Sequence, residues 1–225
     1  MLFRIVSVFA AAAIAVVAQN DTAKRLDSSA QVLQEIMDVA DRAIPQRLLD
    51  RAECLVIVPG LKKGAFIVGA KYGRGFVSCR KSGGVGWGAP GGVRVEGGSF
   101  GFQIGGSETD VVMLVMNERG AKRLLTSKFT IGGDASAAAG PVGRTATAET
   151  DALMTAEILT WSRARGLFAG VSLQGATLRG DQDANNELYG SKLANQDVVM
   201  SDRAVPATAA RLHGLLNKYS SRKTK

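Results

Sequence analysis

The chain has 225 residues, and 28 Lys and Arg stand against 20 Asp and Glu, a net charge of +8. A content of 46% hydrophobic and 21% charged residues is that of an ordinary folded domain, which excludes wholesale disorder. With 27 glycines and 6% aromatics a sheet-rich body with tight turns is favoured over a helical bundle, and a single histidine, His213, excludes His-rich metal sites. The basic excess favours an anionic partner: phospholipid, nucleic acid or an acidic protein surface.

The N-terminus places Arg4 before an uncharged apolar run from Ile5 to Ala18. That pattern, with Val16-Val17-Ala18 before Gln19, predicts a cleavable secretory signal over residues 1–18 and a mature chain of residues 19–225. A retained anchor is the alternative, although the run is short for a spanning helix. The expected location is secreted or periplasmic. Cys54 and Cys79 both fall in the mature part, and in an oxidising compartment such a pair reads as one disulfide. Two free buried thiols are the other reading.

Leu26, Ala30, Leu33, Met37, Ala40 and Ile44 recur in steps of four and three, the stripe of an N-terminal helix capped by Asn20 or Asp21. Its other face mixes acids with bases. Pro45 ends it and opens a short helix to Ala52. Strand grammar follows. Cys54 to Val58 is an apolar run stopped by Pro59-Gly60, and Gly60 to Gly64 reads as a turn into Ala65 to Tyr72. Gly73-Arg74-Gly75 precedes a strand from Phe76 to Arg80. Ser99 to Gly106 alternates as a half-buried strand, and Val111 to Met116 reads as a central one. A short helix is expected over Glu118 to Leu125, with Lys128 to Ile131 extended after it. Thr145 to Asp151 reads as a surface loop, and Ala156 to Arg163 with Leu167 to Leu178 as an antiparallel pair. Asp183 is the expected cap of a helix to Tyr189, and Pro206 to Tyr219 forms the last helix. The whole predicts one α+β domain: a mainly antiparallel, barrel-like sheet flanked by N- and C-terminal helices.

Few motifs carry chemistry. Gly86-Trp87-Gly88-Ala89-Pro90-Gly91 has the letters of a dinucleotide fingerprint, but Pro90 stands where a helix must begin. Asp181-Gln182-Asp183-Ala184-Asn185 starts like a calcium loop, yet Asn186 replaces the turn glycine and Lys192 the bidentate glutamate, so a helix cap is the better reading. His213 has no Gly-x-Ser-x-Gly elbow to serve. No catalytic set, cofactor or metal site is expected. The remaining signal is basic. Lys62 and Lys63 share the expected turn, Lys71 and Arg74 flank the next, and Arg163 and Arg165 flank the late hairpin. They read either as a solvated rim or as a lipid-binding patch, each worth about 1 kcal/mol near an anionic membrane.

Five motifs resemble the SYLF domain family in order along the chain. They are Cys54-Leu-Val-Ile-Val-Pro-Gly-Leu-Lys-Lys-Gly-Ala-Phe-Ile-Val-Gly-Ala-Lys-Tyr-Gly-Arg-Gly75, Gly101-Phe-Gln-Ile-Gly105, Ala139-Gly-Pro-Val-Gly-Arg144, Trp161-Ser-Arg-Ala-Arg-Gly-Leu-Phe-Ala-Gly170 and Asn186-Glu-Leu-Tyr-Gly190. The similarity spans about residues 22–195 and is specific. It departs at Trp87-Gly88-Ala89-Pro90, where the family often has Trp-Ser-x-Pro, and in the mixed charge of the first helix. The resemblance implies binding of membrane phospholipids and, in eukaryotic members, of actin filaments. It supplies no catalytic residues. The expected function is therefore non-enzymatic binding of anionic phospholipid head groups by a secreted domain, with homo-oligomers allowed and no nucleic-acid partner. An oligomeric scaffolding or actin-binding module is the second expectation, and an undetected hydrolase the third.

Mass spectrometry of the protein exported by its native host should find a chain beginning at Gln19; an intact Met1 in exported protein would overturn the cleavage expectation.

Overall fold

The structure is a computed structural model that describes residues 21–39, 43–65, 68–100, 105–141, 156–164, 167–170, 173 and 175–222. The signal segment, the Thr145 to Asp151 loop and Arg165 lie outside the described residues. Helix α1 covers residues 21–38. It is followed by α2 (Gln46–Arg51), β1 (Cys54–Ala65), β2 (Val68–Cys79), β3 (Gly91–Phe100), β4 (Gly105–Val115) and α3 (Glu118–Leu124). Then come β5 (Phe129–Thr130), β6 (Ala137–Ala139), β7 (Ile158–Ala164), β8 (Leu167–Gly170), β9 (Thr177–Gly180), α4 (Gln182–Tyr189), α5 (Asn195–Val199) and α6 (Ala210–Tyr219).

The nine strands form one sheet in the order β5-β9-β3-β2-β1-β4-β7-β6, with β8 beside β7. All pairings are antiparallel except β6 with β7. The first and last strands in that order are joined by residues 131–136, and the Gly132 N–H donates to the Ala135 carbonyl. The sheet therefore curls until its two edges meet at that turn, a half-barrel. The α+β class and the flanking helices are as the sequence predicts.

Alternation sorts the strand side chains onto two cores. The inner face carries Cys54, Val56, Val58, Val77, Val93, Val95, Val111, Met113 and Ile158, covered by α3, Phe129, Leu178 and α5. The outer face carries Leu55, Ile57, Phe76, Val112, Leu114, Leu159 and Trp161, covered by α1, α2 and α6. Each fully buried Leu, Ile or Val contributes roughly 1.5–3 kcal/mol relative to exposure, so both layers are needed. Val111 to Val115 faces both cores in alternation, which is why it carries no polar residue.

One end of the sheet is clamped. Cys54 and Cys79 are register partners and form a disulfide. Beside them Arg80, only 4% exposed, donates to the carbonyls of Leu49, Ala52 and Ser220 and to the Ser220 hydroxyl. Its guanidinium stacks 3.9 Å over the Trp87 ring, and Trp87 Nε1 donates to the same Ser220 carbonyl. Burial, then the charge of Arg222, lowers the Arg80 pKa to about 10.

Four sequence readings need correction. Pro59-Gly60 does not stop the first strand. β1 runs on to Ala65 through a bulge, in which Gly60 takes φ +60° and its N–H donates to Asp110 Oδ1 at 2.9 Å. The stretch Gly60 to Gly64 is therefore strand, not turn. Gly73-Arg74-Gly75 lies inside β2, because a Cβ on Gly75 would come 2.0 Å from the Ile57 carbonyl oxygen where the bulged strand presses on it. The strand expected over Ser99 to Gly106 is divided: Phe100 ends β3 opposite Val68 and Gly105 begins β4 opposite Ala65, while residues 101–104 lie outside the described residues. Leu167 to Leu178 divides into β8 and β9 on opposite sides of the sheet.

Gly75→Ala should cost about 1–3 kcal/mol through this clash, whereas Gly64→Ala, with open space around its Cβ, should be nearly neutral. Thermal denaturation checks the contrast, since 1 kcal/mol shifts the Tm of a domain this size by roughly 2–4 °C. Equal Tm values for the two variants would refute the close-approach argument.

Candidate functional site

Four of the six basic residues singled out above lie on the β1–β2 hairpin, and three of them, Lys62, Lys63 and Lys71, cluster at its far end. Lys63 of β1 and Lys71 of β2 are direct register partners, and Lys62 is the partner of Tyr72 on β2 and of Glu108 on β4. The bulge sets their facing. Leu61 belongs to the inner core, so Lys63 and Lys71 share the inner side and Lys62 with Tyr72 the outer side. None of these lysines makes an ion pair among the described residues. Partial burial, then the charge of Lys71, holds the Lys63 ammonium below the ordinary lysine pKa. Like charges placed opposite one another destabilise a sheet by roughly 0.2–1 kcal/mol. An anion arriving here relieves that repulsion. Ammonium groups on flexible stems suit it, each bringing three donors without fixed geometry.

Two of the remaining residues are structural. Arg74 donates Nε to Asp181 Oδ2 at 2.5 Å, and Asp181 is 2% exposed. Burial alone would raise the Asp181 carboxyl; the hydrogen bond and charge of Arg74 and the Ala184 N–H override it, and its pKa falls. The bond to Asp181 in turn raises Arg74. Arg163 bridges Asp110 of β4 and Glu35 of α1. Burial lowers Arg163, and burial followed by Glu108 raises Asp110, against the Gly60 N–H that stabilises its charged form. Arg165 lies outside the described residues.

The residue that the sequence reading missed is Tyr72, 50% exposed beside Lys62. Its signal was available in the expected strand from Ala65 to Tyr72, where an aromatic residue directly follows Lys71. The helix cap of α4 is Asp181 rather than the expected Asp183: its carboxylate accepts from the Ala184 N–H. That role and Arg74 occupy the first position of the calcium-like stretch, and among the described residues no group of three His, Cys, Asp or Glu could hold a metal. His213 Nε2 donates to the Trp87 carbonyl at 3.0 Å, a packing contact. Trp87 is followed by β3 and not by a helix, which removes the dinucleotide reading. Among the described residues no helix is long and apolar enough to cross a membrane.

Residues 96–219 match the Ysc84 family, described as "Las17-binding protein actin regulator". The chain is 30% identical over 200 residues to the human "SH3 domain-containing YSC84-like protein 1", covering 86% of this chain and 58% of that protein. It is 37% identical over 182 residues to the Schizosaccharomyces pombe "SH3 domain-containing protein PJ696.02", covering 79% and 42%. It is 32% identical over 182 residues to "Protein YSC84" of Saccharomyces cerevisiae, covering 79% and 38%. It thus spans little more than half the length of the animal proteins and less of the yeast ones.

If Lys63 and Lys71 repel, Lys71→Gln should stabilise the fold at neutral pH by about 0.2–1 kcal/mol. The sign follows from the depressed Lys63 pKa: its penalty is full where lysine is charged in both folded and unfolded states, and vanishes as pH rises past the ordinary lysine value. Urea denaturation should show the gain, and 1 M salt, with a screening length of about 3 Å, should shrink it. A destabilised Lys71→Gln protein would contradict the reading.

Proposed function

The chain belongs to the Ysc84, or SYLF, family, and from that premise we propose that it is a non-catalytic binding domain that docks on anionic phospholipid head groups through Lys62, Lys63 and Lys71. One observation carries the reading: two lysines are held directly opposite each other with no acid paired to either among the described residues, while Arg74 and Arg163 are neutralised. An anion bound at this pair would offset the repulsion. Three lysines at about 1 kcal/mol each give roughly 3 kcal/mol, weaker than millimolar. Binding then draws on an apolar contribution as well, for which Tyr72 stands beside Lys62, or on several copies acting together. In this proposal the leader delivers the domain to a secreted or periplasmic location, and the membrane it meets lies there.

A second reading is favoured by the family description, which names actin regulation and Las17 binding. It makes the same surface a dock for an acidic protein.

Flotation with vesicles of phosphatidylcholine, with and without phosphatidylglycerol, separates the two. The lipid reading expects capture only by the anionic vesicles, weakening as salt rises. Lys62→Glu with Lys63→Glu should lower the affinity by roughly tenfold or more, with the circular dichroism spectrum unchanged. Co-sedimentation with actin filaments in the absence of vesicle capture would favour the protein-binding reading, and unchanged capture of the folded double variant would remove these lysines from the site.

A further inference from the structure

Strand register assembles a second cationic site that no stretch of sequence shows. Arg74 of β2, Arg94 of β3 and Arg179 of β9 are successive register partners, so three arginines stand in one row on the outer side of the sheet. Arg74 is matched by the buried Asp181. Arg94 and Arg179 share one carboxylate: Glu96 Oε1 lies 3.2 Å from Arg94 Nε and Oε2 lies 3.5 Å from Arg179 Nε. Both Nε atoms are buried, yet the side chains are 41% and 40% exposed. Their open parts are therefore the far ends, beyond Glu96.

Those two arginines line a cleft of about 500 Å³ at the edge of β9. Its walls are the segment after α3, with Thr126 and Ser127, the start of α4 at Gln182, and Gln196 of α5. Polar side chains stand beside Leu125 and Ala194 in the lining, which suits a hydrogen-bonding ligand with a small apolar part. Asp183 also borders the cleft, with Lys192 Nζ 3.8 Å from its carboxylate.

We propose that this cleft binds a phosphate monoester, with the phosphoryl group held between Arg94 and Arg179. Two guanidinium charges against the Glu96 carboxylate leave one positive charge in excess at this wall of the cleft, which attracts an anion. Partners on neighbouring antiparallel strands lie about 4.5–5.5 Å apart at Cα, so two guanidinium groups on the same face can reach one phosphoryl group together. A planar carboxylate is satisfied by one guanidinium fork, whereas a tetrahedral phosphoryl group has oxygens for both. The two arginines lie on β3 and β9, whereas the lysines lie on β1 and β2, so the two sets can be altered separately. The phosphoryl group can belong to a soluble ester or to a lipid head group.

The test is titration calorimetry of the full chain with sn-glycerol 3-phosphate, beside flotation on vesicles containing phosphatidic acid or, as a diester control, phosphatidylglycerol. The parent should bind saturably. Arg94→Gln with Arg179→Gln should weaken binding tenfold or more, and Lys62→Glu with Lys63→Glu should leave the calorimetric affinity unchanged. Glu96→Gln removes the competing carboxylate and should tighten binding, a gain that a folding defect cannot imitate. Arginine-dependent calorimetric binding assigns a soluble ester; arginine-dependent preference for phosphatidic acid vesicles alone assigns a lipid head group. No binding in either assay, or equal binding by the parent and the folded arginine double variant, overturns the proposal.

Discussion

A single extra residue in β1 decides which way every side chain beyond it points. Up to Val58 the even-numbered residues of β1 face the inner core; beyond the bulge it is Leu61 that does so. Side chains on a strand alternate, so one inserted residue exchanges the two faces. Without the bulge Lys63 would face the helical layer and Lys62 the inner side, and the register opposition of Lys63 with Lys71 would not occur. The bulge is held from several directions. Gly60 supplies a backbone conformation that favours glycine, Asp110 accepts its N–H, Arg163 braces Asp110, and Glu35 of α1 holds Arg163. Gly75 on the next strand leaves room for the displaced backbone. Residues far apart in sequence thus serve one local irregularity, and that irregularity aims the lysines.

The fold also sorts its cations. Arg74, Arg163 and Arg80 are drawn inward, each meeting carboxylates or carbonyls that answer its donors. Guanidinium suits this work, because it keeps its charge when buried and holds several acceptors in fixed geometry. Lysine pays more for burial, having a compact and strongly hydrated charge, and Lys62, Lys63 and Lys71 stay at the surface. The arginine and lysine positions of the β1–β2 hairpin are therefore not variations on one basic patch. Reading all six residues as equivalent was reasonable from charge alone, since sequence gives the sign of a residue but not its partner.

Local pattern made much of the architecture legible. The stripe from Leu26 to Met37 gave α1, although the sequence reading carries it on to Ile44, the uncharged run from Val111 gave the central β4, and Glu118 to Leu125 gave α3. The paired cysteines could be read because they depend on one pairing, whereas helix ends were less legible: the cap of α4 is Asp181 and not Asp183. What escaped was whatever depends on another strand. Gly73 and Gly75 look like turn residues until Ile57 and Leu61 are seen against them. Gly92 looks like a loop residue until Asp181 and Ala184 of the α4 entry pack on it, with the Asn185 side chain accepting its N–H. Glycine in this chain marks close approach at least as often as it marks a bend. The lysine cluster was found on a mistaken premise, a turn, and only the register gave it geometry. Arg94 and Arg179 are 85 positions apart and carry no local signal at all.

The two ends of the hairpin differ in what holds them, and that difference bears on function. At Cys54 and Cys79 the strands are joined covalently and locked by Arg80, Trp87 and Ser220 into α2 and the C-terminal segment. Lys63 is nine residues further along β1, about 30 Å at 3.3 Å per residue. Local opening of a fold is least costly where buried contacts are few, and the lysine end carries exposed and half-buried side chains in place of the sealed cores that flank Val56 and Val77. A repulsion of a few tenths of a kcal/mol would weigh little on the clamped end, where the disulfide already restrains the unfolded chain. Placed at the far end it is tolerated because the clamp is elsewhere. The same separation would let the lysine end meet the anionic surface proposed above without disturbing the register that aims it.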